Sequence, residues 1–261
     1  MRLNNQGKLA GRTAIVTGAS RSIGLGAAIC KALAQEGADI FFTYWLEYDE
    51  QMPWGVDTLE QEHLREEILA MGVKCEHLRT DLSDTSQIPL LLNEVEHRIG
   101  LPSILVNNAC YSMNDDFSTI TAESLDAHYA INVRAVALLS VEFARRFNGK
   151  SGGRVISMTS GQFQGPMAGE LSYATTKGAI DAFTKTFAAE VGHKGITVNA
   201  VNPGPTDTGW MTGELRQDLA SRSPMGRVGL PQDAARLVAF LASDEAEWIT
   251  GQSIHSTGGF A

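Results

Sequence analysis

The chain alternates short β-branched runs with longer amphipathic stretches, and this alternation constrains its fold more than any other feature. Strand-like runs occur at 13–17, 39–44, 74–78, 103–108, 154–159, 196–201 and 252–256. Helical stretches lie near 26–36, 58–71, 84–98, 121–147, 171–191 and 231–242. Near-continuous apolar runs separated by helices are typical of a parallel sheet that is covered on both faces. We therefore predict an α/β protein with one doubly wound domain over residues 1–261, whose seven-stranded parallel sheet is flanked by helices on both faces.

Composition and charge exclude several classes of protein. Apolar residues make up 43% of the 261 residues, which is enough for a sizeable core, and the net charge is −9. An acidic chain without a Lys/Arg cluster is a poor nucleic-acid binder. No apolar run approaches the ~20 residues that span a bilayer, and the N-terminus lacks the apolar segment of a signal peptide. Three cysteines without a C-x-x-C give no disulfide framework and no thiolate metal site, so we expect a cytoplasmic protein without a metal.

A glycine-rich turn follows the first predicted strand directly. The segment TAIVTGASRSIGLGAAICKALAQEGADIFFTY has the pattern of a strand, a glycine loop, a helix and a second strand. Glycines there let the backbone approach a pyrophosphate, and the helix N-terminus supplies N–H donors and the positive end of its dipole. The pattern predicts a dinucleotide site, with a tight turn that only packs the helix on the sheet as the alternative.

This turn resembles the T-G-x-x-x-G-x-G fingerprint of the short-chain dehydrogenase/reductase family. Thr17 and Gly18 match its start, and in the favoured register a two-residue insertion makes Gly24 and Gly26 its last two glycines. In the ungapped register Ser22 would replace the second glycine. The resemblance covers essentially the whole chain and implies a Rossmann domain that binds NADP, with NAD as the alternative cofactor.

Further motifs carry the same resemblance. Asp81-Leu82 follows the third strand, N-N-A-C ends the fourth and resembles N-N-A-G, and N-P-G follows the sixth. The cofactor-binding residues that the resemblance implies are Gly18, Ser20, Arg21, Gly24, Gly26, Tyr44, Asp81, Leu82, Asn108, Ala109, Tyr173, Lys177, Pro203, Gly204, Thr206 and Thr208.

Four polar residues have the order and spacing of classical members, including the 3-oxoacyl-[acyl-carrier-protein] reductases; they are Asn132, Ser160, Tyr173 and Lys177. Tyr173 and Lys177 are four residues apart, so they share one face of a helix. The resemblance implies that Tyr173 is the general acid, and that Lys177 lowers its pKa and holds the nicotinamide ribose. It also implies that Ser160 hydrogen-bonds the substrate oxygen and that Asn132 holds a water of a proton relay.

The end of the second strand predicts NADPH in preference to NADH. NAD-selective members place an acid there, whereas this chain has Tyr44-Trp45 and no acid before Glu47. Arg21 lies close to where basic residues of NADP-preferring members meet the ribose 2′-phosphate, and a guanidinium–phosphate pair is charge-assisted. The acidic segment 45–57 is the counterargument, since one of its acids could fold back and repel that phosphate.

We expect an NADPH-dependent carbonyl reductase, with 3-oxoacyl-[acyl-carrier-protein] reductase as the narrower hypothesis. An NAD-dependent alcohol or sugar dehydrogenase and a non-catalytic dinucleotide-binding regulatory protein are the alternatives. The expected partner is a small carbonyl substrate, free or as an acyl thioester on acyl carrier protein. The resemblance also implies a homotetramer. Segments 111–117, 162–169 and 205–225 are the expected substrate walls, and 45–57 and 203–226 are expected to be long functional loops.

Overall fold

Seven parallel strands form one sheet in the computed structural model, which describes residues 7–260, and their order is β3-β2-β1-β4-β5-β6-β7. The strands are β1 Thr13–Val16, β2 Asp39–Tyr44, β3 Cys75–Arg79, β4 Ile104–Asn107, β5 Gly153–Met158, β6 Ile196–Asn202 and β7 Ser253–His255. The predicted fold is confirmed, and each strand lies within two residues of its predicted run. The prediction about the N-terminus falls partly on residues 1–6, outside the described residues.

The helices cover both faces of the sheet. They are α1 Leu25–Gln35, α2 Leu46–Asp49, α3 Glu60–Leu69, α4 Gln87–Arg98, α5 Ala122–Tyr129, α6 Val136–Arg146, α7 Leu171–Val191, α8 Gly213–Arg222 and α9 Pro231–Ala242. Side chains of α1, α3 and α9 form one buried apolar cluster, and those of α4, α6 and α7 form the other. Within residues 7–260, no helix is both long and apolar enough to cross a membrane.

Alternation along the central strands explains the two clusters. In β1, Ala14 and Val16 contribute to the cluster beneath α1, whereas Ile15 between them contributes to the opposite one. In β4, Leu105 lies on the opposite face from its neighbours Ile104 and Val106. Successive side chains of a strand point to opposite faces, so these runs are apolar throughout because both faces are buried.

The strand order reverses between β1 and β4, which pair directly. In a doubly wound sheet, the loops that leave the carboxyl ends of the strands diverge at such a point and open a crevice for ligands. The glycine turn leaves β1 here, and the N-N-A-C segment leaves β4. The topology therefore brings the two motifs to one edge of the sheet.

Three segments differ from the sequence predictions. Segment 45–57 is not only a loop, since it begins with the short helix α2, and 203–226 contains the ten-residue helix α8. The stretch 121–147 is interrupted by a π-helical turn at Ala130–Ala135. The sequence of α8 has little amphipathic periodicity because it buries one residue of its ten, Leu219, and faces solvent elsewhere.

Candidate active site

A cleft of about 1230 Å³ opens along the carboxyl edge of the sheet. It runs from the glycine turn past the end of β4 to the start of α7, with α8 on its far side. Fourteen of the predicted cofactor residues line it: Gly18, Ser20, Arg21, Gly24, Gly26, Tyr44, Leu82, Asn108, Ala109, Tyr173, Pro203, Gly204, Thr206 and Thr208. Asp81 and Lys177 do not line it: the Asp81 carboxylate accepts from the backbone N–H of Ser83, and Lys177 is buried.

The glycine turn is packed too closely for side chains at two positions. Gly18 has φ +74°, and a Cβ on it would lie 2.6 Å from the Cα of Ala109. A Cβ on Gly26 would lie 2.5 Å from the carbonyl oxygen of Gly18. Gly24 is the residue before α1 and has an ordinary extended conformation. This geometry agrees with the register that places Gly26, rather than Gly24, as the last glycine of the fingerprint.

Asn108 and Thr17 tie the ends of β1 and β4 together. The Asn108 side-chain amide donates to the carbonyl oxygens of Thr17 and Gly18, both at 2.9 Å. The Thr17 hydroxyl in turn accepts from the backbone N–H groups of Asn108 and Ala109, both at 3.0 Å. These bonds satisfy buried polar groups and fix the floor of the cleft.

Arg21 is half-buried in the cleft wall, and its guanidinium carbon lies 4.1 Å from the ring centroid of Trp54. Among the arginines of residues 7–260, it is the one with neither a salt bridge nor a side-chain hydrogen bond within the chain. Burial lowers the pKa of its guanidinium, and Asp49 and Glu60 nearby partly offset that. An unpaired and partly desolvated guanidinium that faces a cleft is a site for an anion.

The glycine turn has no room for side chains at Gly18 and Gly26, and Arg21 beside it is unpaired. Both features suit the phosphate groups of a dinucleotide. The glycine turn and the N-terminus of α1 would hold the pyrophosphate, and Arg21 lies at the same end of the cleft. The cleft thus has room for a dinucleotide, and Arg21 supplies an unpaired positive charge at the glycine turn.

Ser160, Tyr173 and Lys177 meet where β5 ends and α7 begins. Ser160 follows β5, its hydroxyl donates to the Met167 sulfur at 3.9 Å, and it lines the same cleft as Tyr173. The Lys177 ammonium donates to the carbonyl oxygen of Met158 at 2.9 Å and lies 5.5 Å from the centre of the Tyr173 ring. The strand end therefore holds both the Ser160 hydroxyl and the lysine beneath the tyrosine.

Opposing effects act on the pKa of Tyr173, and the predicted effect of Lys177 on it stays a prediction. Burial raises this pKa above its ordinary value, the neighbouring Cys110 adds to the increase, and the Ser160 hydroxyl lowers it. The Lys177 ammonium, 5.5 Å from the centre of the Tyr173 ring, is held in place by its hydrogen bond to the Met158 carbonyl oxygen. Tyr173 is therefore protonated at neutral pH, which is the state that a proton donor needs.

Asn132 lies in the π-helical turn, and its side chain has partners on both sides. Its carbonyl oxygen accepts from the backbone N–H of Tyr111, and its amide donates to the Tyr111 carbonyl, both at 2.8 Å. The amide also donates to the Thr176 hydroxyl at 3.0 Å. Because these bonds occupy the side chain, it anchors the segment after β4 to α7. The role of Asn132 in holding a water of a proton relay stays a prediction.

The expected substrate walls line the cleft only in part. Residues 111–114, 164–167 and several positions of 205–222 face it. Met211 instead packs against Leu219 and Val228, and Met225 is exposed. The substrate end is thus mostly apolar, as is typical of small-molecule sites.

Sequence reasoning did not assign Tyr48, Trp54 or Glu170, and all three line the cleft. Tyr48 donates its hydroxyl to the carbonyl oxygen of Ser112 at 3.1 Å, which joins segment 45–57 to the substrate wall. Glu170 is half-buried at the start of α7, and burial raises the pKa of its carboxyl. Glu170 directly precedes α7 and has a non-helical conformation, so helical periodicity in the sequence gives no signal for it.

Comparison with known proteins shows sequence similarity to oxidoreductases along nearly the whole chain. A family model described as enoyl-(acyl carrier protein) reductase matches residues 18–261. An uncharacterised oxidoreductase of Bacillus subtilis is 53% identical over 95% of this chain and 96% of its own length. An NADPH-dependent aldehyde reductase-like chloroplastic protein of Arabidopsis thaliana is 35% identical over 97% of this chain and 95% of its length.

A solved structure is similar to this chain over nearly its full length. A short-chain dehydrogenase from Burkholderia cenocepacia, crystallised in complex with NADP, superposes with a TM-score of 0.86 at 33% identity. The alignment covers 97% of this chain and 98% of the other. The sheet order, the glycine turn and these relatives agree, and the chain belongs to the short-chain dehydrogenase/reductase family of oxidoreductases.

Proposed function

We propose that the protein is an NADPH-dependent carbonyl reductase that converts a small ketone or aldehyde to an alcohol. The observation that carries this proposal is the pair of hydroxyls, from Ser160 and Tyr173, in the wall of the cleft that begins at the glycine turn. Two adjacent hydroxyl donors suit an oxygen on which negative charge develops.

The cofactor and three side chains have separate roles in the proposed reduction. Bound NADPH supplies the hydride. Ser160 donates a hydrogen bond that orients the carbonyl oxygen, and the Tyr173 hydroxyl gives its proton to that oxygen as the alcohol forms. Lys177 is the buried cation nearest to the Tyr173 ring, so it stabilises the phenolate that remains.

Arg21 supports NADPH over NADH. An additional phosphate would give its unpaired guanidinium a charge-assisted partner. The acids of segment 45–57 are already occupied in part: Glu47 pairs with Arg79, and Asp49 accepts a hydrogen bond from Trp54. The NADP-bound relative and the aldehyde reductase-like relative support the same cofactor.

The substrate we propose is small and uncharged rather than a thioester on acyl carrier protein. An acidic carrier would need free cations near the cleft. The chain offers Arg134, Arg145, Arg146 and Lys150 for such a patch. Arg145 and Arg146 both pair with Glu142, and Arg134 donates to the carbonyl oxygen of Ser83. Lys150 is exposed and has no side-chain partner among residues 7–260, but one lysine is a small surface for an acidic carrier. Glu170 adds a carboxyl to the substrate end, which disfavours anionic ketones.

We also propose that the protein assembles as a homotetramer through α5–α6 and α7, as its family resemblance implies. Leu138 on α6 is 43% exposed and Leu171 on α7 is 44% exposed, so each leaves apolar surface in the single chain. Light scattering tests this, and a monomer at micromolar concentration would contradict it.

The function is tested by following NADPH and NADH oxidation with a panel of aldehydes, ketones, β-keto esters and acyl thioesters. We expect reduction of neutral aldehydes or ketones with NADPH and much less with NADH. Preferential oxidation of alcohols or sugars with NAD would favour the dehydrogenase alternative. Tight NADPH binding without turnover of any substrate would favour the regulatory alternative.

A further inference from the structure

Trp54 is an aromatic side chain from segment 45–57 that lies against Arg21 in the cleft wall. We propose that Trp54 is a positioning residue, held by Asp49, which presents the Arg21 guanidinium to the ribose 2′-phosphate of the cofactor. This inference rests on the proposed NADPH preference and goes beyond it, because it assigns a role to the segment that the family motifs leave unexplained.

The contact between the two side chains is direct. The guanidinium carbon of Arg21 lies 4.1 Å from the centre of the indole ring, within the range of a cation–π contact. A guanidinium that stacks through its flat face keeps its N–H edges available for hydrogen bonds to a phosphate. The contact with Trp54 therefore restrains the arginine, while its N–H donors have no hydrogen-bond partner among residues 7–260.

Asp49 fixes the indole in turn. Its carboxylate accepts a hydrogen bond from the indole N–H of Trp54 at 2.9 Å, and the residue is 5% exposed. Asp49 forms no salt bridge with Arg21, so the carboxylate anchors the tryptophan and leaves the guanidinium unpaired. Its negative charge still acts on Arg21 across the intervening space.

Hydrogen bonds anchor both the segment that carries Trp54 and the glycine turn that carries Arg21. Tyr48, next to Asp49, donates to the carbonyl oxygen of Ser112, and burial raises the pKa of its hydroxyl. On the other side, the Gln61 amide donates to the Ser20 carbonyl oxygen at 2.7 Å, next to Arg21 in the glycine turn. Arg21 and Trp54 therefore come from two anchored segments, and their contact defines the direction of the guanidinium.

The experiment measures binding rather than turnover, by isothermal titration calorimetry with adenosine 2′,5′-bisphosphate and with adenosine 5′-monophosphate. The two probes differ in the 2′-phosphate. We expect Trp54→Leu to weaken the bisphosphate by about 3- to 10-fold, the range of one cation–π contact, and to leave the monophosphate unchanged. Trp248→Leu is the matched control, because Trp248 is 93% exposed and does not line the cleft.

Arg21→Ala and the double variant Arg21→Ala/Trp54→Leu complete a double-mutant cycle with Trp54→Leu and the wild type. If Trp54 acts through Arg21, Trp54→Leu adds no further loss once Arg21 is alanine. Trp54→Phe retains more of the preference for the bisphosphate than Trp54→Leu does, because it keeps an aromatic face. Thermal unfolding of each variant verifies the fold.

The outcomes separate the two claims. If Arg21→Ala leaves the preference for the bisphosphate intact, the proposed basis of NADPH selection is wrong. If Arg21→Ala removes the preference but Trp54→Leu does not reduce it, the positioning role alone is wrong. An equal loss for both probes in Trp54→Leu also overturns that role, since it would mean that Trp54 contacts the adenosine or maintains the fold.

Discussion

Replacing Gly26 with alanine perturbs a close contact of α1 with the glycine turn and with Asn108 at the end of β4. The added Cβ would lie 2.5 Å from the Gly18 carbonyl oxygen, 2.9 Å from the Ala19 Cα and 2.9 Å from the Asn108 side-chain nitrogen. Displacing any of these atoms costs free energy. Two belong to the backbone, and the third, the Asn108 side-chain nitrogen, donates hydrogen bonds to the carbonyl oxygens of Thr17 and Gly18. Overpacking of this kind costs about 1–3 kcal/mol.

The assay is thermal unfolding together with NADPH binding. At about 2–4 °C per kcal/mol for a chain of this size, Gly26→Ala lowers the Tm by roughly 2–12 °C. NADPH affinity falls as well, since α1 can no longer dock against the glycine turn. Gly178→Ala in α7 is the matched control: its Cβ meets nothing within 4 Å, and alanine is the better helix former, so its Tm stays level or rises.

Gly24→Ala separates the two registers of the fingerprint. Its Cβ would lie 3.1 Å from the Arg21 carbonyl oxygen, a milder contact, so this variant loses less stability and less affinity than Gly26→Ala. A Gly26→Ala protein with the wild-type Tm and NADPH affinity would refute the packing argument. A Gly24→Ala protein that is the more damaged of the two would refute the register.

Two further predictions concern carboxylates near α7. Burial raises the pKa of Asp115, but hydrogen bonds from Ser172 and Ser124, with His128 nearby, more than offset this and leave the pKa below its ordinary value. A depressed folded pKa means that Asp115 stabilises the protein above its unfolded pKa and loses this effect as pH falls through the folded value. Asp115→Asn should therefore lower the Tm at pH 7, and the deficit should shrink in strongly acidic buffer; a constant deficit would contradict the assignment. For Glu170→Gln, we expect kcat/KM for anionic keto acids to rise about 2- to 5-fold relative to neutral ketones, a modest effect because the carboxyl is only half-buried. Glu190→Gln, at the exposed far end of α7, is the control, and an equal gain there would show a general charge effect.

The sequence was sufficient for the fold and for most of the cleft, because both depend on local patterns. The near-continuous apolar runs specified the parallel sheet, and motifs after β1, β4 and β6 necessarily meet at its carboxyl edge. The spacing of Tyr173 and Lys177 placed both on α7.

Interactions between distant segments were not predictable from local patterns. The contact of Arg21 with Trp54 joins residues 33 positions apart in segments without periodicity. The π-helical turn at Asn132 is set by its bonds to Tyr111 and Thr176, from two other parts of the chain. The raised pKa of Tyr173 depends on its burial and on the neighbouring Cys110, and the spacing of Tyr173 and Lys177 along the chain contains no information about either.

The measurement that tests the proposed reaction most directly compares wild type with Tyr173→Phe. This change keeps the ring and removes the acidic proton. NADPH affinity is measured by fluorescence titration, and ketone reduction is measured under single-turnover conditions with NADPH prebound. We predict unchanged NADPH affinity and a loss of about 10²-fold or more in the reduction rate, the scale of a positioned general acid. A Tyr173→Phe protein that binds NADPH and reduces the ketone at close to the wild-type rate would contradict the account.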